Sequence, residues 1–512
     1  MILGESKDLN GDDSTTLDEL LRRTAVRRPQ GIALADPPHR ETFTGGPPRQ
    51  FTYLEADCAV TAIAARLRKL GLQTDTVVGI QLPNVCESVL AFLGVLRAGM
   101  IAAPMPLLWR RADASAALSR IGARVIITAA RIGETDHCDL AMQVASDVFP
   151  IRYVCGFGDG LADGIVPFND LLNEPSPELP ELPPRDGPAA AHVAAVTWDV
   201  TPEGAFAVAR SHAELIAGAY APLLEGSMGS GSRILASCAL GTFAGLAAQV
   251  VPWLLTGGTL CLHHAFDAEA FATQCDEHRC TAAVVPGTMA PALVEAGLLS
   301  QDTLKTVLAL WRAPERLATT PSWRHPHARL VDLLTFGEVA LLASRRDVIG
   351  RPDPLPAGDV MAPRGSAGAV LIAEVARSPA GTLALRGPMV PRHAFPPGAE
   401  RLAAPHLKAD FRGFVDTGYS CRHNHDGDTF VVTGPPPGLV TVGGYRFVMS
   451  DVEDTVRRAQ DEARVTALPD ALAGHRLAGI AADLDRTQAA LAGSGVNPLL
   501  AGAFRETKPR AA

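Results

Sequence analysis

Two short clusters carry the residue types that ligate metals. Cys275-Asp276-Glu277-His278-Arg279-Cys280 and Cys421-Arg422-His423-Asn424-His425 set thiols beside imidazoles. Zinc fingers and ribbons space their ligands in pairs, and neither cluster has that spacing, so no metal site is expected. His263-His264 follows a strand and reads as ordinary surface. Hydrolysis has no anchor, because the chain lacks both a Gly-x-Ser-x-Gly elbow and a His-Glu-x-x-His pair. A phosphate-binding loop would need a particular composition. Such a loop works through glycines whose N–H groups turn inward on the anion, hydroxyls that add donors, and a lysine that supplies charge. Residues 198–207 read Trp-Asp-Val-Thr-Pro-Glu-Gly-Ala-Phe-Ala. They offer Thr201 and Gly204, no lysine, and two carboxylates, Asp199 and Glu203, that repel phosphate unless a metal intervenes.

The elements around this stretch alternate. Leu17, Leu20 and Leu21 give one apolar helical face and Ala59 to Leu70 another. Val77-Val78-Gly79-Ile80 reads as a buried strand. A helix is expected from Pro83-Asn84 to Ala98, closed by Gly99. Ile101 to Pro106 is the next strand and its exit, a helix ends at Ile121, and Val125-Ile126-Ile127-Thr128 is a further strand. Strand–helix–strand at this spacing means parallel sheet with helices on its faces. Residues 173–190 are Pro-rich and read as an extended linker, delivering the chain to the strand Val193–Thr197. Residues 234–262 carry no charge, which by length would suit a membrane span. Gly241, Gly245, Gln249, Pro252 and Gly257-Gly258 break that run, so strand, helix and second strand are expected instead.

Composition sets bounds. The 512 residues exceed one compact domain, and 47% hydrophobic with 20% charged residues is ordinary for a soluble globular chain. The net charge of −9, with no basic block, argues against nucleic acid as a partner. The first fifteen residues lack the pattern of a signal peptide, and nine scattered cysteines suit reduced thiols, so a cytoplasmic location is expected.

Several motifs resemble the adenylate-forming superfamily of acyl-CoA synthetases, over almost the whole length. They are Phe51-Thr52-Tyr53-Leu54-Glu55, Leu82-Pro83-Asn84 with Glu87, and Arg97-Ala98-Gly99 with Ile101 and Pro104. Gly257-Gly258-Thr259, Phe266-Asp267, Gly381 to Pro388, Gly443-Gly444-Tyr445-Arg446 and Asp451-Val452-Glu453 add to them. The resemblance implies an α/β fold of layered sheets and helices in a large AMP-binding-like part, 1–433, with a small, shortened α+β lid, 434–512. It also implies what stands at each chemical position. The family's Thr/Ser/Gly-rich phosphate loop falls on Trp198–Ala207, where Thr201 keeps its identity and the family lysine becomes Phe206. A shifted loop that works differently is the other reading of that stretch. Phe336 and Gly337 stand at the adenine and acyl wall. The magnesium-holding glutamate becomes Ala340, while Glu338 is either its stand-in or an exposed turn carboxylate. After Asp416 and Thr417, the ribose-clamping aspartate becomes Tyr419, with Asp416 facing away. The hinge is Gly434-Pro435-Pro436-Pro437-Gly438, stiff for a rotating lid. Leu240, Thr242 and Phe243 fall in the acyl pocket, and Gly443, Gly444 and Arg446 at the thioester step. Lys508 lacks the glycine context of the family's C-terminal lysine and reads as a tail residue.

Two functions compete. One is a divergent acid–CoA ligase, taking a carboxylic acid through acyl-AMP to an acyl thioester with ATP, Mg2+ and CoA, its ATP chemistry weak or lost. The other is a non-catalytic relative that needs no cofactor and holds an acyl ligand, an acyl thioester or a protein partner in the old cleft. The sequence leaves a homodimer open.

Overall fold

The computed structural model describes residues 15–173, 178–179, 181–201, 204–391, 395–396, 407–425 and 427–505. Pro175, Ser176, Pro177 and Pro180 of the linker, Glu203 and Lys508 lie outside them. Four larger sheets organise the chain. An eight-stranded sheet runs Ala340–Arg345, Arg329–Phe336, Thr306–Trp311, Ala282–Pro286, Arg233–Ala236, Thr259–Leu262, Ile32–Ala35, Gln50–Thr52. A seven-stranded sheet runs Gly204–Ser211, Val193–Thr201, Ile101–Pro104, Val77–Gln81, Val125–Ala129, Tyr153–Phe157, Val166–Pro167. The pairings expected from alternation are parallel: Val77–Gln81 pairs that way with both Ile101–Pro104 and Val125–Ala129. Thr429–Gly434 belongs to a six-stranded antiparallel sheet, and Leu439–Val442 to a separate four-stranded one with its own small core.

Two helices join the first two sheets. Tyr53–Lys69 is started by a reciprocal capping box between Thr52 and Glu55. Cys86–Arg97 is buried on every face, as a helix packed between layers must be. Gly94 lets the two approach, since a Cβ there would sit 2.5 Å from Ile63. The helix expected from Pro83 begins at Cys86. Asn84 turns its amide inward to the carbonyls of Cys238 (2.8 Å) and His263 (3.3 Å), while Asp36 caps the Cys86 N–H at 2.7 Å.

The uncharged run resolves into the strand Arg233–Ala236, short helical turns over 243–256 and the strand Thr259–Leu262. Among the described residues no helix is long and apolar enough to cross a membrane. His263, expected at the surface, is buried instead, with Nδ1 3.1 Å from Gln274 Oε1. The cause is the helix Ala268–Glu277, which folds back over the strand end.

Candidate functional site

The first correction concerns the loop. The strand expected to stop at Thr197 continues to Thr201 and pairs antiparallel with Gly204–Ser211, with Asp199 opposite Phe206, Val200 opposite Ala205 and Thr201 opposite Gly204. Val200, Thr201 and Phe206 are strand formers, and they close the stretch into a hairpin. Alternate backbone N–H groups are therefore taken up by the ladder, and extended strands do not turn the rest inward on one anion. Thr201 turns its hydroxyl across the hairpin toward the Gly204 carbonyl, at 3.4 Å. The Phe206 ring lies under the Arg120 guanidinium, 5.5 Å away.

Asp199 instead meets the C-terminal strand Tyr445–Val448. Its Oδ1 accepts from Arg446 Nη1 at 3.0 Å, and the two side chains are 5% and 7% exposed. Arg446 Nη2 also donates to the Tyr419 phenol. Tyr419 is buried, its ring edge-on to Phe336 at 5.4 Å. Burial works against the Arg446 cation, yet Tyr419 and Asp199 outweigh it and hold the group above the ordinary arginine range. Gly337 makes room for this cluster: its φ is +60°, and a Cβ there would lie 2.8 Å from one Asp199 oxygen.

Glu338, the second correction, is not an exposed turn carboxylate. It is 1% exposed, and its Oε2 accepts from the Phe243 N–H at 2.6 Å. Its Oε1 stands 3.6 Å from Arg312 Nη2. Burial pushes its carboxyl up, and Arg312 only partly opposes that. Arg210, fully buried, donates to the carbonyls of Met389, Glu338 and Val339, with its guanidinium 3.9 Å over the Phe243 ring. Phe243 therefore lies beneath Arg210 and off the cavity wall.

A cavity of 440 Å³ opens beside this cluster. It lies at the carboxyl ends of the parallel strands Arg233–Ala236, Ala282–Pro286 and Thr306–Trp311, the ligand crevice of α/β sheets. Trp109, Trp198 and Trp311 supply much of its wall. The C-terminal four-stranded sheet closes one side through Gly443-Gly444, the two-residue turn of the hairpin Leu439–Val442/Tyr445–Val448. Both glycines have positive φ (+54° and +88°), which this tight turn demands. Tyr445 anchors the turn by accepting from the Leu108 N–H at 3.1 Å.

Of the expected positions, Leu240, Thr242, Gly443, Gly444 and Arg446 border the cavity. Thr201, Gly204, Phe336, Gly337, Glu338, Thr417 and Tyr419 do not. Thr417 donates to the Leu383 carbonyl at 2.7 Å. Asp416 faces away, accepting from Thr382 Oγ1 at 2.7 Å. Sequence reasoning missed Arg210, Arg312 and the three indoles. Arg312 had a readable signal: it directly follows a buried parallel strand, where side chains enter the crevice. Among the described residues no group of three His, Cys, Asp or Glu side chains is placed to hold a metal.

Known proteins share this architecture. The family model for AMP-binding enzymes matches residues 21–194, ending just before the altered hairpin closes. A beauvericin nonribosomal cyclodepsipeptide synthetase of Gibberella fujikuroi is 29% identical over 112 residues, 22% of this chain and 3% of that protein. The salicyl-AMP ligase/salicyl-S-ArCP synthetase of Mycobacterium tuberculosis is 31% identical over 145 residues, 28% of this chain. That match spans 25% of the relative's length. The amide bond synthetase McbA from Marinactinospora thermotolerans superposes with a TM-score of 0.70 at 17% identity, covering 95% of this chain and 94% of that one. Residues 21–194 thus match the AMP-binding enzyme family, and the chain as a whole has the fold of the adenylate-forming enzymes.

Proposed function

We propose that this chain is a non-catalytic member of the superfamily. It holds an acyl ligand in the 440 Å³ cleft between a large part (1–433) and a lid (434–512), with little or no use of ATP. One observation carries the reading. Asp199, at the position the resemblance gives to the phosphate loop, is spent on Arg446 of the lid, and Arg446 is spent again on Tyr419. A triphosphate needs free N–H groups, free cations and a carboxylate for magnesium. Here alternate N–H groups serve a ladder and the stretch is extended rather than looped, Arg446 and Arg210 already serve protein oxygens, and Ala340 stands where the metal-holding glutamate would. The residues present do not fit ATP and Mg2+.

The second reading, a divergent acid–CoA ligase, draws on Gly443-Gly444. That turn borders the cavity and leaves space at Gly443, where a Cβ would meet nothing within 4 Å. ATP–pyrophosphate exchange with a panel of carboxylic acids separates the two. Exchange at background level is expected. Exchange at an ordinary enzyme rate would establish the ligase and overturn the binding role.

A further inference from the structure

The geometry points to the amino-terminal end of the seven-stranded sheet as a docking surface for a bilayer that contains anionic lipid. That end lies away from the cleft, which meets the opposite ends of the strands Val77–Gln81 and Ile101–Pro104 through Leu82 and Met105. Residues 70–76, 122–124 and 148–152 are the loops that enter the parallel strands Val77–Gln81, Val125–Ala129 and Tyr153–Phe157, which lie side by side. The ladder fixes their order. The Arg124 N–H donates to the Val77 carbonyl at 3.0 Å, and the Arg152 N–H to the Arg124 carbonyl at 2.8 Å. The Tyr153 hydroxyl donates to the Leu70 carbonyl at 3.1 Å, which brings the end of the helix Tyr53–Lys69 to the same edge. Lys69, Arg124, Phe149 and Arg152 therefore share one face, and all four are exposed. Phe149 stands 86% exposed, with the Arg152 guanidinium 5.8 Å from the centre of its ring. Half-buried Leu70 and Leu72 add apolar surface on the neighbouring loop.

The charges of this face are not balanced within the chain. Among the described residues, Lys69, Arg124 and Arg152 make no side-chain hydrogen bond or ion pair. The carboxylates of these loops and of the helix ends before them are already taken. Asp75 pairs with Arg185, and Asp147 accepts from Arg111 Nε at 2.8 Å and Nη2 at 2.6 Å. Lys69 suits the carboxyl end of its helix, where a cation is favoured in any case. Arg124 and Arg152 have no such role, since each stands outside a helix, one residue before a strand. A chain with a net charge of −9 has no general surplus of cations to place there. An exposed ring framed by uncompensated cations matches the interface of a bilayer, where the ring takes the acyl boundary and the cations take anionic headgroups. Other exposed apolar side chains lack that frame. Val348 follows Asp347, and Phe411 sits between Asp410 and Arg412, which pair at 3.6 Å. Three cations are few to hold a nucleic-acid backbone, and Phe149 with Leu70 and Leu72 offers apolar surface that phosphates do not cover.

The test floats the full chain with phosphatidylcholine vesicles that do or do not contain phosphatidylserine. Binding is expected with phosphatidylserine, is expected to be much weaker without it, and should fall as salt rises. Arg124→Gln/Arg152→Gln should weaken it at least about tenfold, and Phe149→Ser about tenfold. Val348→Ser removes an equally exposed apolar side chain elsewhere and should change nothing. In Phe149→Trp, lipids with brominated acyl chains should quench tryptophan fluorescence beyond any effect on the native chain. No flotation with phosphatidylserine, equal flotation without it, or full binding by either weakened variant would overturn the assignment. So would an equal loss in Val348→Ser, or no added quenching in Phe149→Trp. Tighter binding of an oligothymidylate, lost in Arg124→Gln/Arg152→Gln, would overturn it in favour of nucleic acid. The replaced side chains are exposed, and melting curves check that the variants fold. Where one does not, the lipid and salt dependence of the native chain decides.

Discussion

Removing one side of the Asp199–Arg446 pair should undock the lid. The N–O distance is 3.0 Å and both side chains are nearly excluded from water. Two unit charges about 4 Å apart attract by about 4 kcal/mol at an effective dielectric of about 20. Desolvation takes back much of that, so the intact pair contributes a modest net amount. The single variants behave differently. Asp199→Ala or Arg446→Ala leaves one charge buried and uncompensated, which costs about 3–5 kcal/mol. Arg446 keeps its bond to Tyr419 in Asp199→Ala, so that variant belongs at the lower end. Even 3 kcal/mol shifts the docking equilibrium about 150-fold. The double variant Asp199→Leu/Arg446→Met removes both charges and should cost less than the two single losses added together. Spin-label distances between the two parts, with hydrogen exchange over 439–448, read the effect. Native chain and double variant should give one narrow distance, and each single variant a broad or longer one. Singles that keep the native distance and exchange, or a double variant as open as both singles combined, would refute the reasoning.

Three further outcomes follow from the same geometry. Gly337→Ala forces a side chain into φ +60° and places its Cβ 2.8 Å from an Asp199 oxygen, so thermal unfolding should show a loss of about 2 kcal/mol or more. Phe206→Lys should yield no acyl-AMP, because it adds a charge to a strand whose N–H groups stay in the ladder; acyl-AMP from this single repair would show that only the loop had been lost. Buried His137, His212 and His263 have pKa values lowered by burial to about 4, 3 and 4 from an ordinary 6.5. Between those values and 6.5 the unfolded chain binds more protons, so stability is fully present above pH 6.5 and falls as pH drops through this window. A melting temperature flat from pH 6.5 to 5 would contradict that.

What could be read from the sequence was what is local. Alternation of β-branched runs with capped helices gives the parallel strands Val77–Gln81, Ile101–Pro104 and Val125–Ala129 directly, because side-chain periodicity reports burial within a few residues. Glycines and prolines inside 234–262 ruled out a span for the same local reason. The site was less legible. Asp199 and Arg446 lie 247 residues apart, and no periodic pattern announces that they meet. Glu338 and His263 were misplaced because each follows a strand end, where whether a later element covers the chain decides burial. The hairpin was readable in part: Val200, Thr201 and Phe206 are strand formers, but the register of the resemblance favoured a loop there.

The pattern of satisfied and unsatisfied groups bears on how the nucleotide end came to differ. A site that merely loses its ligand keeps buried polar atoms that once faced it, and each costs free energy. At the nucleotide end several such groups satisfy one another instead. Asp199, Arg446 and Tyr419, drawn from three separate motifs, satisfy one another, and Phe336 packs against the tyrosine. Gly337 leaves the space they need. Protein groups there supply one another's charges, as the proposed binding role requires. Beside the cavity, Arg312 Nε and, behind it, Glu338 Oε1 remain buried without hydrogen bonds. Thr197 Oγ1, Arg210 Nε and Glu315 Oε2 are buried without hydrogen bonds as well, so unmet demand is not confined to one end of the cleft. Arg312 is the first charge that opposes the burial of Glu338, so Arg312→Met should lower the melting temperature, whereas unchanged or higher stability would show that Glu338 needs no cation.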